Sequence, residues 1–246
     1  MSYHIVIPAR MASERLPGKP LARIGTSTLI ERVWLRAQAA SASSVVIATD
    51  SDEVLAVARS FGADALLTSE RHPSGSDRIA ECADLRGWSD GELIVNLQGD
   101  EPLMPAGCLD QVAGLLAAHS DADVASLYDV FADEAAAGDP NAVKVVTDAF
   151  GRALYFSRAR VPYRRGVTGA VTWRRHIGLY AYRAGALRAF TRTPPTPVEQ
   201  AEKLEQLRFL ESGRTIVMAQ ASEAIPAGVD TPEDLARIRR LLTSAD

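Results

Sequence analysis

The chain has 246 residues, 47% of them hydrophobic, and a formal net charge of −4. That is enough apolar material to bury a full core. The acidic balance excludes the usual nucleic-acid binder, which presents a basic excess over a whole face, and no window approaches the roughly 18 uncharged apolar residues of a membrane span.

Cys82 and Cys108 are the two cysteines, far apart and without histidines at zinc spacing. They read as small buried hydrophobes in a reducing compartment. No positively charged start followed by an apolar run opens the chain, so a cytoplasmic protein is expected.

In chain order, a β-branched run at His4–Pro8 leads into Ala9, Arg10, Ser13, Arg15, Leu16, Pro17, Gly18, Lys19 and Pro20. Three fixed cations thus follow a strand end, on a loop stiffened by two prolines around one permissive glycine. Such a loop suits a triphosphate, because a preorganised cationic nest stabilises charge that develops during transfer. It is not a Walker loop, which needs Gly at the position of Ser13 and Ser or Thr at that of Pro20. No Gly-x-Gly-x-x-Gly fingerprint follows the strand either.

Next comes a helix with Ile30, Val33, Trp34 and Ala37 on one face, then a strand over Ser44–Thr49. A second helix, opened at Asp50 or Ser51 and closed by Gly62, carries Val54, Val57, Ala58 and Phe61 at the same spacing. A third strand, Leu93–Leu97, precedes a helix bearing Leu109, Val112, Ala113 and Leu116. Alternating strands and helices of this kind predict a doubly wound half over 1–120, with its ligand at the carboxyl ends of the strands. Arg10, Asp50 and Asp100 lie just past such ends.

From 121 to 220 the strand-like runs crowd together, at Val124–Val130, Ala142–Thr147, Ala153–Ser157 and Ile177–Tyr182, which predicts a partly antiparallel excursion. Ala135–Ala137 reads as a short helical turn and Arg160–Arg175 as an irregular loop. Pro194, Pro195 and Pro197 introduce a helix expected over 198–212. A strand near Thr215–Ala219 and a last helix with Leu235, Ile238 and Leu242 complete a single domain, whose segment 221–246 carries a loop and that helix.

A second group of polar residues ends the third strand: Asn96, Leu97, Gln98, Gly99, Asp100, Glu101 and Pro102. A strand-end aspartate beside a phosphate loop can hold Mg²⁺ if a second carboxylate arrives from elsewhere, the ion taking its other ligands from phosphate and water. Asp230, in Val229-Asp230-Thr231-Pro232-Glu233-Asp234, offers one. The same residues also read as an ordinary helix start, with Asp230 or Thr231 as cap and an acidic first turn.

The strings IPARMASERLPGKPL, SGSDRIAE, VNLQGDEPL, PNAVKVV, ALYFSRA, RHIGLYAYR, LEQLRFLESG and GVDTPEDL run in order from about residue 5 to 241. Together they resemble the 3-deoxy-manno-octulosonate (Kdo) cytidylyltransferases. The resemblance implies a Rossmann-like three-layer α/β nucleotidyltransferase fold with a mixed central sheet and an excursion used for sugar binding and dimerisation. It implies transfer of CMP from CTP to Kdo, release of pyrophosphate, a role in lipopolysaccharide precursor synthesis, Mg²⁺ dependence and a homodimer.

Matched position by position, the family pattern makes Arg10, Arg15 and Lys19 the triphosphate grip, with Ala9 and Ser13 as loop contacts. Ser74, Gly75 and Arg78 match the cytosine-reading segment, which on the plain reading is a helix start capped by Ser76. Gln98 matches a residue near both sugar and nucleotide, and Asp100 with Asp230 match the metal pair. A sugar acid calls for a cation and neutral hydrogen-bonding groups. The family pattern offers Arg158 as the cation, with His176, Tyr180, Glu205 and Gln206 beside it. Two departures stand out: Glu14 adds a negative charge to the cationic loop, and the linker over 164–173 is shorter than in many members. A cytidylyltransferase for sialic acid or an amino-Kdo, and a noncatalytic nucleotide sensor, are the alternatives.

Overall fold

The computed structural model describes residues 2–12, 15–166 and 172–243. β1 (His4–Ala9) is followed by the cationic loop and a 3-10 turn, Lys19–Leu21. A small hairpin, β2 (Arg23–Ile24) and β3 (Ser27–Thr28), then leads into α1 (Leu29–Gln38). Thr28 and Glu31 start that helix with a reciprocal capping box. β4 (Ser44–Thr49), α2 (Asp52–Ser60), β5 (Asp64–Leu67), α3 (Gly75–Leu85), β6 (Leu93–Asn96) and α4 (Ala106–Ala118) complete the first half.

The excursion holds β7 (Val124–Val130), β8 (Lys144–Thr147), β9 (Ala153–Ser157) and β10 (Arg174–Arg183). After it come α5 (Ala184–Arg192), α6 (Pro197–Glu202), α7 (Gln206–Glu211), β11 (Ile216–Gln220) and α8 (Pro232–Thr243).

Among the described residues the main sheet runs β11-β7-β10-β6-β1-β4-β5, with β8 and β9 attached beside β10. β1 pairs in parallel with both β4 and β6, and β10 runs antiparallel to β6, β7 and β8. The expected mixed three-layer sheet is therefore present. Because strand side chains alternate between faces, Ile5 and Ile7 enter one core with Leu29, Ile30 and Val33 of α1 and Leu109 and Val112 of α4. Val6 enters the other, with Ile79 of α3, Leu187 of α5 and Phe209 of α7. Strand order departs in opposite directions on either side of β1, so a crevice opens at the carboxyl ends of β1 and β6.

The helix expected over 198–212 is two helices. Lys203 adopts a left-handed conformation, φ 54° and ψ 48°, and its N–H closes α6 onto the Glu199 carbonyl. Glycine usually fills that position, and a side chain there costs about 1 kcal/mol. Leu204, 6% exposed, is buried in the turn, and Glu205 starts α7. No helix among the described residues is long and apolar enough to cross a membrane.

Candidate active site

The loop after β1, the loop after β6 and the approach to α8 meet at one point. Gly18, at φ 66°, opens the 3-10 turn that carries Lys19. The Lys19 ammonium donates to Asp100 Oδ2 at 2.6 Å, to Asp230 Oδ1 at 3.2 Å and to the Val229 carbonyl at 3.1 Å. Arg15 Nη2 lies 3.2 Å from Asp230 Oδ2.

Two glycines permit the convergence. A Cβ on Gly99 would lie 2.8 Å from the Pro8 carbonyl oxygen, and one on Gly228 would lie 2.8 Å from that of Asp100. With both side chains absent, Val229 N–H reaches Asp100 O at 2.9 Å and ties the loops together. Thr231 takes the capping role, accepting from Asp234 N–H at 3.2 Å, while Asp234 Oδ2 accepts from the N–H groups of Asp230 and Thr231. The Asp230 carboxylate is thereby left to face the cations. Ser13 and Glu14 lie outside the described residues, as do residues 167–171 of the short linker.

Above this point opens a cleft of about 710 Å³ lined by Ala9, Arg10, Arg15, Lys19, Ser74, Gly75, Arg78, Gln98, Asp100, Glu205 and Asp230. Arg10 makes no ion pair among the described residues. Ser74, not Ser76, caps α3, accepting from Asp77 N–H at 3.3 Å and donating to Asp77 Oδ2 at 2.6 Å. Gly75 packs over Pro8. Arg78 is 3% exposed, and its guanidinium pairs with Asp50 at 2.6 Å and donates to Thr68 Oγ1 and the Ser69 carbonyl. Asp50 also accepts from Met11 N–H at 3.3 Å. Arg78 therefore braces the back of the cleft and the root of the cationic loop. His72, which belongs to none of the motifs above, also lines the cleft, with its Nε2 2.5 Å from Glu81 Oε2.

A second cavity of about 350 Å³ adjoins the first and shares Gly75, Gln98 and Glu205 with it. Tyr180 and Gln206 line it, together with Ser76, Asn96, Tyr182 and Lys203, which are not among the sugar contacts expected from the sequence. Glu205 Oε2 accepts from Ser76 Oγ at 3.2 Å. Surrounding protein raises the Glu205 carboxyl above its ordinary range, although water still reaches the residue. Burial likewise raises the Tyr180 and Tyr182 phenols, which remain neutral hydrogen-bonding groups.

Two expected sugar contacts stand back from both cavities. His176 packs edge-on to Phe156 and against Tyr180, with its Nε2 3.1 Å from Ser126 Oγ. Burial lowers its pKa to about 3, so the ring is neutral and supports Tyr180 from behind. Arg158 turns its guanidinium onto the carbonyls of Glu202 at 2.7 Å, Pro140 at 3.1 Å and Lys203 at 3.4 Å.

The point held by the Lys19 ammonium is bounded by two carboxylate oxygens and a carbonyl, a donor set of hard oxygens that suits Mg²⁺. No cluster of three or more His, Cys, Asp or Glu side chains is placed to hold a metal among the described residues. An ion here would take its other ligands from phosphate and water.

A cationic strand-end loop facing two aspartates, with a second polar cavity adjoining it on an α/β sheet, defines a nucleotidyltransferase. A family model described as Cytidylyltransferase matches residues 4–216. The chain is 49% identical to a 3-deoxy-manno-octulosonate cytidylyltransferase of Pseudomonas fluorescens (strain SBW25), over 98% of each chain. It is 50% identical to one of Thioalkalivibrio sulfidiphilus (strain HL-EbGR7), over 98% of this chain and 99% of the other. A solved CMP:2-keto-3-deoxy-manno-octonic acid synthetase complexed with CTP superposes with a TM-score of 0.93 at 36% identity, covering 100% of this chain and 99% of the other. A cytidylyltransferase from Leptospira borgpetersenii, with a TM-score of 0.64 at 16% identity, shares the fold. The chain belongs to the cytidylyltransferase family and, within it, to the 3-deoxy-manno-octulosonate cytidylyltransferases.

Proposed function

We propose that this protein transfers CMP from CTP to Kdo, forming CMP-Kdo and pyrophosphate for lipopolysaccharide precursor synthesis. The observation that carries the reading is the pair of joined cavities. One has cations and two aspartates at its floor, and the other has Ser76, Asn96, Tyr180, Tyr182 and Gln206 as neutral donors and acceptors together with Lys203, with Gln98 and Glu205 at the junction. CTP lies in the larger cavity, with its triphosphate along Arg10, Arg15 and Lys19 and its base toward Ser74 and Gly75. Kdo lies in the smaller one, against Tyr180, Glu205 and Gln206.

The anomeric hydroxyl then attacks the α-phosphorus. A new P–O bond forms as the α–β bridge breaks, the hydroxyl proton is released and pyrophosphate departs. No covalent enzyme intermediate is required, because positioning and charge stabilisation carry this class of transfer. Asp100 and Asp230 would hold Mg²⁺, which when bound supplies positive charge to the phosphate oxygens.

We also assign the protein to the cytoplasm and infer a homodimer. Two buried unpaired thiols support a reducing compartment. Exposed Phe150, Leu154 and Tyr155 on the β8–β9 hairpin support self-association. The functional test is pyrophosphate release with each of the four NTPs and a panel of Kdo, 8-amino-Kdo and sialic acid. CTP with Kdo should give the highest kcat/KM. Preference for another sugar acid would reassign the acceptor, and CTP binding without turnover would favour a sensor.

A further inference from the structure

We infer that Lys203 supplies the positive charge that holds the acceptor's carboxylate in the second cavity. This rests on the reading of that cavity as the site of a sugar acid. Such an acid carries a full negative charge, and a carboxylate leaving water requires a charged or strongly donating partner. The family pattern offers Arg158 for that task, but its guanidinium is held on three main-chain carbonyls, and Arg158 lines neither cavity. Lys203 is the one cation among the described residues lining the second cavity, and its ammonium makes no ion pair or hydrogen bond with them. The cavity also contains the Glu205 carboxyl, which supplies no positive charge to an anionic acceptor.

Local structure places residue 203 outside the helix. An unbroken helix over 198–212 would carry residue 203 in a helical conformation, whereas the left-handed backbone at Lys203 ends α6 there. That backbone is held from both sides. Its N–H bonds the Glu199 carbonyl, and its carbonyl accepts from Arg158 Nη2 at 3.4 Å. Arg158 itself is fixed by its N–H donating to Glu202 Oε2 at 2.9 Å. Arg158 is therefore a positioning residue that acts through Lys203.

Steady-state kinetics of the full chain with CTP and Kdo test this in Lys203→Ala, Lys203→Gly and Lys203→Arg. Glycine tolerates the left-handed backbone and removes the ammonium with its stem without straining the turn, so it separates the loss of the side chain from damage to the backbone. The expected result is a KM for Kdo raised about tenfold or more in the Ala and Gly variants. KM for CTP and kcat should stay within about twofold of the parent, and Lys203→Arg should restore most of the Kdo affinity. An unchanged KM for Kdo in Lys203→Gly, or a defect in the Ala variant that Gly repairs, overturns the inference. If the parent prefers another sugar acid, the same comparison on that acid decides the role of Lys203. Transfer to no keto-sugar acid at all would overturn both this inference and the function it rests on.

Discussion

Replacing Lys19 with methionine removes the ammonium that the structure holds between Asp100 and Asp230. At 2.6 Å from Asp100, the attraction is about 6 kcal/mol at an effective dielectric of 20, before desolvation. The contact with half-exposed Asp230 at 3.2 Å is worth about 1 kcal/mol in water-like surroundings. Desolvation of a pair only partly covered by protein cancels most of this, leaving a net of about 1–3 kcal/mol. A divalent ion entering the nucleotide-free protein must displace or face that ammonium, and it meets less opposition once the ammonium is gone. Mn²⁺ titration followed by electron paramagnetic resonance, without nucleotide, should therefore show Lys19→Met binding Mn²⁺ about tenfold to a hundredfold more tightly than the parent. CTP should strengthen Mn²⁺ binding in the parent by drawing Lys19 onto phosphate. Turnover of Lys19→Met should fall, because the triphosphate loses a cation. Equal or weaker Mn²⁺ binding by a folded Lys19→Met protein would refute the exchange.

Three other perturbations have expected outcomes. Asp100→Asn and Asp230→Asn should each lower kcat by about a hundredfold or more with an unchanged circular dichroism spectrum; near-parent pyrophosphate release would remove them from the site. Gly228→Ala forces a methyl to within 2.8 Å of the Asp100 carbonyl oxygen. It should destabilise the fold by about 1–3 kcal/mol in urea unfolding and lower turnover, while Gly91→Ala, where a Cβ meets nothing within 4 Å, should change neither. His176, held neutral with a pKa near 3 against an ordinary 6.5, gains a proton in the unfolded chain at a pH where the folded one stays neutral. Its contribution to stability is constant above about pH 6.5 and declines from there toward pH 3, by at most about 1.4 kcal/mol per pH unit. His176→Gln should flatten that acid limb, and an identical pH dependence in both proteins would contradict the burial.

The first half was legible because the apolar residues of α1, α2 and α4 recur at helical spacing, and each strand end carries its polar residue within two or three positions. The crowded runs of 121–220 predict antiparallel pairing, but hydrophobic pattern does not encode which strand reverses, so the antiparallel course of β10 against β6, β7 and β8 appears only in the ladder pairings. The break at Lys203 was hidden because lysine is a good helix former and gives no local sign of a left-handed turn. Asp100 is readable singly as a strand-end aspartate and Asp230 as a helix cap. Their meeting depends on close approaches at Gly99 and Gly228 between distant segments, which no local window contains. Arg158 has the right chemistry for a carboxylate, but carbonyls from two other segments already occupy it. His72 had a findable signal, since it directly precedes Pro73, Ser74 and Gly75 at the start of α3.

The most direct test of the central claim is the fate of oxygen during one round of transfer. Protein, CTP, Mg²⁺ and Kdo whose anomeric oxygen has equilibrated with ¹⁸O-water are combined in the same water, and the products are read by ³¹P NMR and mass spectrometry. Attack by the sugar hydroxyl on the α-phosphorus predicts CMP-Kdo with one ¹⁸O bridging sugar and phosphorus, together with unlabelled pyrophosphate. Label in pyrophosphate, or free ¹⁸O-labelled CMP with no sugar adduct, would contradict the account.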